Sequence, residues 1–216
     1  MNKAFIFDMD GVIVDSETLW LNQEEKFLTE LLGKEIYLKI KDVLLGSTIR
    51  AIYERASENG YKVSFDDFVS RYDQAAKKIY AQAKINNDID PLIEDLLRLG
   101  FRIGLVTSSR LNWINQVLPK LKNYKKFDSI ISLGERKDLR SKPSPDGYLE
   151  MIKNLNSTPN KTVIVEDSSK GIQSAKASGA FTICLKQFLP AGHDPRGADL
   201  YLDNLSNLVK FLEARI

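Results

Sequence analysis

The stretch AFIFDMDGVIVDS, residues 4–16, begins as a buried strand and then sets two carboxylates, Asp8 and Asp10, two residues apart. Strand side chains alternate between faces, so positions i and i+2 point the same way. Two aspartates pushed together at a strand end repel each other unless something offsets the charge. A bound cation is the natural compensator, which makes this strand end a candidate site.

The rest of the chain supplies neighbours for that strand. Runs rich in β-branched or aromatic residues recur as KAFIFD (3–8), FRIGLVT (101–107), FDSIIS (127–132), KTVIVED (161–167), AFTICL (180–185) and DLYLD (199–203), and each reads as a strand. Helical patterns separate most of them. PLIEDLLRLG closes on Gly100, SPDGYLEMIKNL opens with Ser144 as N-cap and Pro145 at the first helical position, and SSKGIQSAKASG ends at Gly179. Strand and helix in alternation predict an α/β fold, a Rossmann-like doubly wound parallel sheet with helices on both faces. Residues 17–86 differ: LWLNQEEKFLTELLG and FDDFVSRYDQAAKKIYAQAK are helical patterns with no strand between them. They predict an inserted α-helical cap over 17–86, with the core formed by 1–16 and 87–216. An insertion after the first strand sits above the carboxyl ends of the strands, where open parallel sheets bind ligands.

Composition narrows the function classes. The chain has 216 residues, 43% of them hydrophobic, and a formal charge of +2, so overall charge gives no basis for binding nucleic acid or a membrane surface. An anionic ligand then needs a local site. The basic stretch KLKNYKKFD (120–128) reads as a solvated helix end and carries no function. The one cysteine, Cys184, lies in an apolar run and reads as a buried, inert thiol, and no stretch approaches the ~20 apolar residues of a membrane span. A reducing cytoplasm is the expected location.

Polar groups stand at four strand ends: Asp8 and Asp10, Thr107 with Ser108, Lys142 beyond the third, and Glu166 with Asp167. Magnesium takes hard oxygen ligands, usually one or two carboxylates with water and a substrate phosphate; Asp8 and Asp167 suit it, and Glu166 could orient waters. With the charge offset, Asp8 stays ionised and can attack phosphorus, which divides a slow hydrolysis into two easier steps. Lys142 can balance the phosphoryl oxygens, Thr107 or Ser108 can donate hydrogen bonds to them, and Asp10 can protonate the leaving oxygen and then deprotonate water.

The segments DMDGVIVDS (8–16), VTSS (106–109), SKPSPDGY (141–148) and VIVEDSSKG (163–171) resemble, in order, the four motifs of the haloacid dehalogenase-like superfamily. The helical segment after the first strand resembles the cap of the subgroup containing β-phosphoglucomutase and the sugar-phosphate phosphatases. The resemblance implies Asp8 as nucleophile and Asp10 as general acid/base and, through its backbone carbonyl, a magnesium ligand. It also implies Asp167 with Glu166 in the metal site, and Lys142 and Ser108 on the transferred phosphate, Ser108 being favoured over Thr107 for direct contact. GSTIR (46–50) resembles a segment that places an arginine near the substrate, making Arg50 a candidate, and Trp20 at the cap entrance is a second.

The expected function is therefore a magnesium-dependent phosphatase acting through an aspartyl-phosphate on a small phosphorylated metabolite, a sugar or polyol phosphate. The chain is expected to act as a monomer, with neither nucleic acid nor membrane as partner. A phosphomutase is the alternative, and a non-catalytic sugar-phosphate-binding protein a remoter one. The resemblance implies a histidine in the first cap helix of the mutase. SETLWLNQ (16–23) has none, and the only histidine, His193, reads as a surface-loop residue.

Overall fold

The computed structural model describes residues 1–44, 47–206 and 208–214. Six parallel strands form one sheet: β1 (Lys3–Phe7), β4 (Phe101–Thr107), β5 (Ser129–Ser132), β6 (Thr162–Glu166), β7 (Phe181–Leu185) and β8 (Leu200–Leu202), in the spatial order β5-β4-β1-β6-β7-β8. These are the six strands the sequence predicts. The order reverses beside β1, between β4 on one side and β6 on the other, so the switch point of the sheet lies at the end of the strand that carries Asp8.

Alternation along β1 explains why the strand is apolar throughout. Ala4 and Ile6 pack with Tyr148, Met151 and Ala175 of α7 (Asp146–Asn154) and α8 (Ser169–Ala177). Phe5 and Phe7 pack on the opposite face with Ile93, Leu96 and Val117 of α5 (Ile89–Arg98) and α6 (Leu111–Val117). Both faces are covered, as a parallel sheet requires. Each fully buried Ile or Phe contributes roughly 1.5–3 kcal/mol relative to its exposed state, and this central strand supplies three. The helix ends follow the glycines: Gly100 and Gly179 have φ of 79° and 81°, just past α5 and α8. One boundary differs by a residue, because α7 starts at Asp146 and Pro145 takes the cap position.

Between β1 and α5 lies the inserted α-helical cap, built from α1 (Glu17–Leu32), α2 (Lys34–Ile40), α3 (Ile49–Glu58) and α4 (Phe65–Gln82). Buried Phe68, Tyr72, Ala76, Ile79 and Tyr80 recur at helical spacing along α4, and Ser64 caps it by accepting from Asp67 N at 3.2 Å. The joint between the two layers lies beside the boundaries the sequence predicts, near residues 15–17 and 86–88, but the sequence pattern does not reveal its pairing. It is a two-stranded antiparallel ribbon, β2 (Val14–Asp15) against β3 (Lys84–Ile85). Asn86 fastens it to the core, donating to the Val12 carbonyl and to Gln187 Oε1, each at 3.1 Å.

Candidate active site

Asp8 follows the last residue of β1, where its amide donates to the Val165 carbonyl of β6 at 3.0 Å. Lys142 Nζ reaches it from the loop before α7, 2.5 Å from Asp8 Oδ1 and 2.6 Å from Glu166 Oε1. That loop is folded by Asp146, whose carboxylate accepts from the Arg140 guanidinium at 2.9 Å twice, from the Arg140 amide at 3.0 Å and from Ser144 Oγ at 2.8 Å. These contacts hold the Asp146 carboxyl well below the usual aspartate range. Ser174 Oγ of α8 closes the loop from below by donating to the Ser144 carbonyl at 2.6 Å.

Three buried carboxylates, Asp8, Glu166 and Asp167, share this place with one ammonium, and each offers an oxygen within 4.8 Å of the others. Burial works against the Lys142 charge, but Asp8 and Glu166 outweigh it and hold the ammonium well above the ordinary lysine value. Asp8 is raised by burial against the pull of Lys142, and Asp167 by burial and then by Glu166. A divalent cation would supply the charge this arrangement lacks, and the donors suit a hard one. Glu166 Oε1 is already engaged by Lys142 and by the Tyr148 hydroxyl at 2.6 Å, and Oε2 by Ser168 Oγ at 3.2 Å and two backbone amides. Asp8 and Asp167 therefore have lone pairs to spare, while both oxygens of Glu166, also expected in the metal site, are engaged by protein donors. Two glycines make room. A Cβ on Gly11, whose φ is +75°, would lie 1.8 Å from Asp167 Oδ2, and one on Gly171 would lie 2.0 Å from the Glu166 carboxyl carbon.

The Asp10 side chain is turned to hydroxyls. Oδ1 accepts from Ser16 at 2.5 Å and from Tyr80 at 2.8 Å, and Oδ2 accepts from Ser109 at 2.6 Å. One donor comes from the residue just before the cap, one from the end of its last helix, and one from the loop after β4. Sequence reasoning missed all three, although Ser109 is the neighbour of Ser108. Tyr80 is a residue of α4 with no sequence signal linking it to Asp10, and its backbone carbonyl is held by Lys120 Nζ at 2.5 Å, within the stretch read as a functionless helix end. Lys120 ends one short 3-10 turn, and Tyr124–Lys126 form another.

These groups open into a cavity of about 530 Å³ between the sheet and the helical insert. Asp8, Asp10, Lys142 and Asp167 line its floor, with Thr107 and Ser108 beside them. Thr107 is buried and its Oγ1 accepts from the Ser109 amide at 3.0 Å, whereas Ser108 is half-buried and lies beyond the strand end. Trp20 lines the opposite wall with Trp113, their ring centroids 6.0 Å apart, and also packs against the hydrophobic core. Glu17, also on that wall, is pushed up to about 8 by burial and then by the Asp10 charge.

Two placements differ from expectation. Arg50 is exposed, stacks over the Phe65 ring at 4.3 Å and is absent from the cavity wall, because its position on α3 faces the partner ring on α4. From the GSTIR segment, Ser47 and Thr48 line the cavity instead. His193, read as a surface-loop residue, is half-buried and lines the rim with Pro190 and Pro195. Cys184 is buried, its thiol pushed up to about 11 by burial. Among the described residues no helix is long and apolar enough to cross a membrane.

A family model described as haloacid dehalogenase-like hydrolase matches residues 5–185. Among curated proteins, the chain is 30% identical to hexitol phosphatase B of Escherichia coli, covering 95% of this chain and 93% of that one. It is 29% identical to a phosphorylated carbohydrates phosphatase of Thermotoga maritima, covering 82% of each. Among solved structures, a β-phosphoglucomutase from Clostridium difficile superposes with a TM-score of 0.76 at 27% identity, covering 100% of this chain and 97% of that one.

Proposed function

Because the chain belongs to the haloacid dehalogenase-like hydrolase family, we propose that it is a magnesium-dependent phosphatase that hydrolyses a small sugar or polyol phosphate through an aspartyl-phosphate on Asp8. The observation that carries this reading is the Lys142 ammonium bridging Asp8 and Glu166 at the switch point of the sheet, beneath a cavity that also receives Asp10. Asp8 is the nucleophile. Lys142 neutralises charge on the phosphoryl oxygens, and the Thr107 and Ser108 hydroxyls with nearby amides donate to them. Asp10, held by Ser16, Tyr80 and Ser109, gives its proton to the leaving alcohol and then takes one from water. Magnesium, held by Asp8, Asp167 and the Asp10 carbonyl, would supply positive charge to the phosphoryl group. Residues 17–86 act as the cap that excludes bulk water, and the β2–β3 ribbon is its hinge.

A mutase is the second reading, favoured by the likeness to the β-phosphoglucomutase structure. The start of the first cap helix argues for transfer to water, because SETLWLNQ (16–23) holds no histidine where the mutase resemblance implies one in that helix. The experiment is to follow released phosphate from a panel of phosphorylated metabolites with magnesium or chelator, for the parent protein and Asp8→Asn. Turnover that needs both magnesium and Asp8 is expected; full turnover in Asp8→Asn would refute the covalent route. Supplying β-glucose 1-phosphate with glucose 1,6-bisphosphate separates the branches, since glucose 6-phosphate formed with little free phosphate would mean a mutase.

A further inference from the structure

On α1, Glu17, Trp20, Leu21 and Glu24 follow the i, i+3, i+4, i+7 spacing and all line the cavity, so they form one stripe along its wall. Seven residues of helix separate Glu17 from Glu24, about 10 Å of rise. Glu17 is close enough to Asp10 to feel its charge, so the stripe runs from the reacting end of the cavity to its far end. There Glu24 and Tyr72 of α4 both line the cavity, and the Glu24 charge is felt at the Tyr72 phenol. The Tyr72 side chain is 4% exposed and lines the cavity, and its hydroxyl has no hydrogen-bond partner among the described residues. A buried phenol left without a partner is costly, and the chain leaves this one beside a cavity. Its ring is fixed edge-on to Phe27, centroids 4.9 Å apart, and lies 6.1 Å from Trp20.

We infer that Glu24 and Tyr72 bind a hydroxyl at the far end of the substrate's alcohol, which selects a phosphorylated sugar or polyol of five or six carbons over a two-carbon phosphoester. This rests on the phosphatase reading for where the phosphate lies. The chemistry is complementary: the phenol donates, the carboxyl accepts or donates, and the Trp20 face packs on the carbon chain. Burial, and then the Glu24 charge, keeps the Tyr72 phenol protonated and therefore a donor, and burial raises Glu24. A short ester reaches the floor of the cavity but leaves both groups unpaired, and a site built to hydrogen-bond a hydroxyl discriminates against ligands that lack it.

The test uses Asp8→Asn protein, in which turnover is blocked, and measures calorimetric affinity for a hexitol 6-phosphate and for 2-phosphoglycolate with magnesium present. The hexitol phosphate should bind at least about tenfold more tightly. Adding Tyr72→Phe or Glu24→Gln should shrink that ratio by about tenfold, the conservative changes keeping the fold. Equal affinities in the starting protein, or a ratio untouched by both variants, would overturn the subsite. Turnover of p-nitrophenyl phosphate by the parent protein is scored separately: its absence would overturn the phosphatase reading, while the binding ratio still decides the subsite.

Discussion

Replacing Lys142 with methionine keeps most of the side-chain volume and removes the charge, so it isolates what the ammonium does. Its Nζ lies 2.5 Å from Asp8 and 2.6 Å from Glu166; the three side chains are 7%, 9% and 0% exposed. Water therefore screens little of the interaction, and the discount that applies to surface pairs does not apply here. Removing one partner of a buried ion pair costs ~3–5 kcal/mol, because the remaining charge is left uncompensated. Here two partners are left, but a carboxylate can relieve the strain by taking up a proton, so a loss of about 3 kcal/mol at neutral pH is expected. Urea denaturation in excess chelator measures it directly. Magnesium should then stabilise Lys142→Met more than the parent protein, because it meets a more negative cluster of Asp8, Glu166 and Asp167. Turnover should fall by ~10²–10³ or more even where magnesium restores stability, since the charge beside the transferring group is still missing. A stability loss under about 1 kcal/mol, or equal magnesium stabilisation of both proteins, would refute the reasoning that one ammonium carries this buried site.

Tyr80→Phe removes one of three hydroxyl donors to Asp10 and leaves the aromatic packing against Trp113. A fall of about tenfold in kcat with little change in KM is expected, and steady-state kinetics that show a KM effect alone would assign Tyr80 to substrate binding instead. Asp146→Asn loosens the clamp that shapes the Lys142 loop. The Asp146 carboxyl titrates below its unfolded value, so its contribution is present above about pH 4 and is lost as pH falls through the folded value. The variant should therefore melt below the parent at pH 7 and converge with it in strong acid; a gap that widens on acidification would contradict the sign.

The sheet was legible because each strand is short and punctuated, and because burial on both faces of the central strand β1 removes the polar residues that would blur the pattern. Glycines past α5 and α8 marked the helix ends for the same local reason. The β2–β3 ribbon was not legible, since two residues paired with two residues leave no periodicity to read. The same limit applied to the site. Asp8, Asp10, Glu166 and Asp167 announce themselves as charges at strand ends, where charge is unusual, and Lys142 lies in the loop between β5 and α7. Ser16, Tyr80 and Tyr148 are ordinary helix-start or helix residues, and only folding brings their hydroxyls to carboxylates. Arg50 shows the converse: a charged residue in a suggestive segment stacks on a ring, Phe65, and does not line the cavity.

The two aspartates that open the sequence argument turn out to be kept apart by different means. Asp8 is compensated electrostatically, by Lys142, and stays in the buried group with Asp167. Asp10 is compensated by hydroxyl dipoles, two of which reach it from the helical insert and its hinge. That division suits the roles proposed for them: a nucleophile needs a fixed positive neighbour in the core, whereas a group that gives and takes a proton needs donors that can exchange as the reaction proceeds. It also ties Asp10, the proposed proton-transfer group, to the helical insert. Any displacement of α4 that withdraws Tyr80 removes a donor from Asp10 while leaving the Asp8–Lys142 pair intact. Cap position would then set the readiness of the acid/base without disturbing the nucleophile.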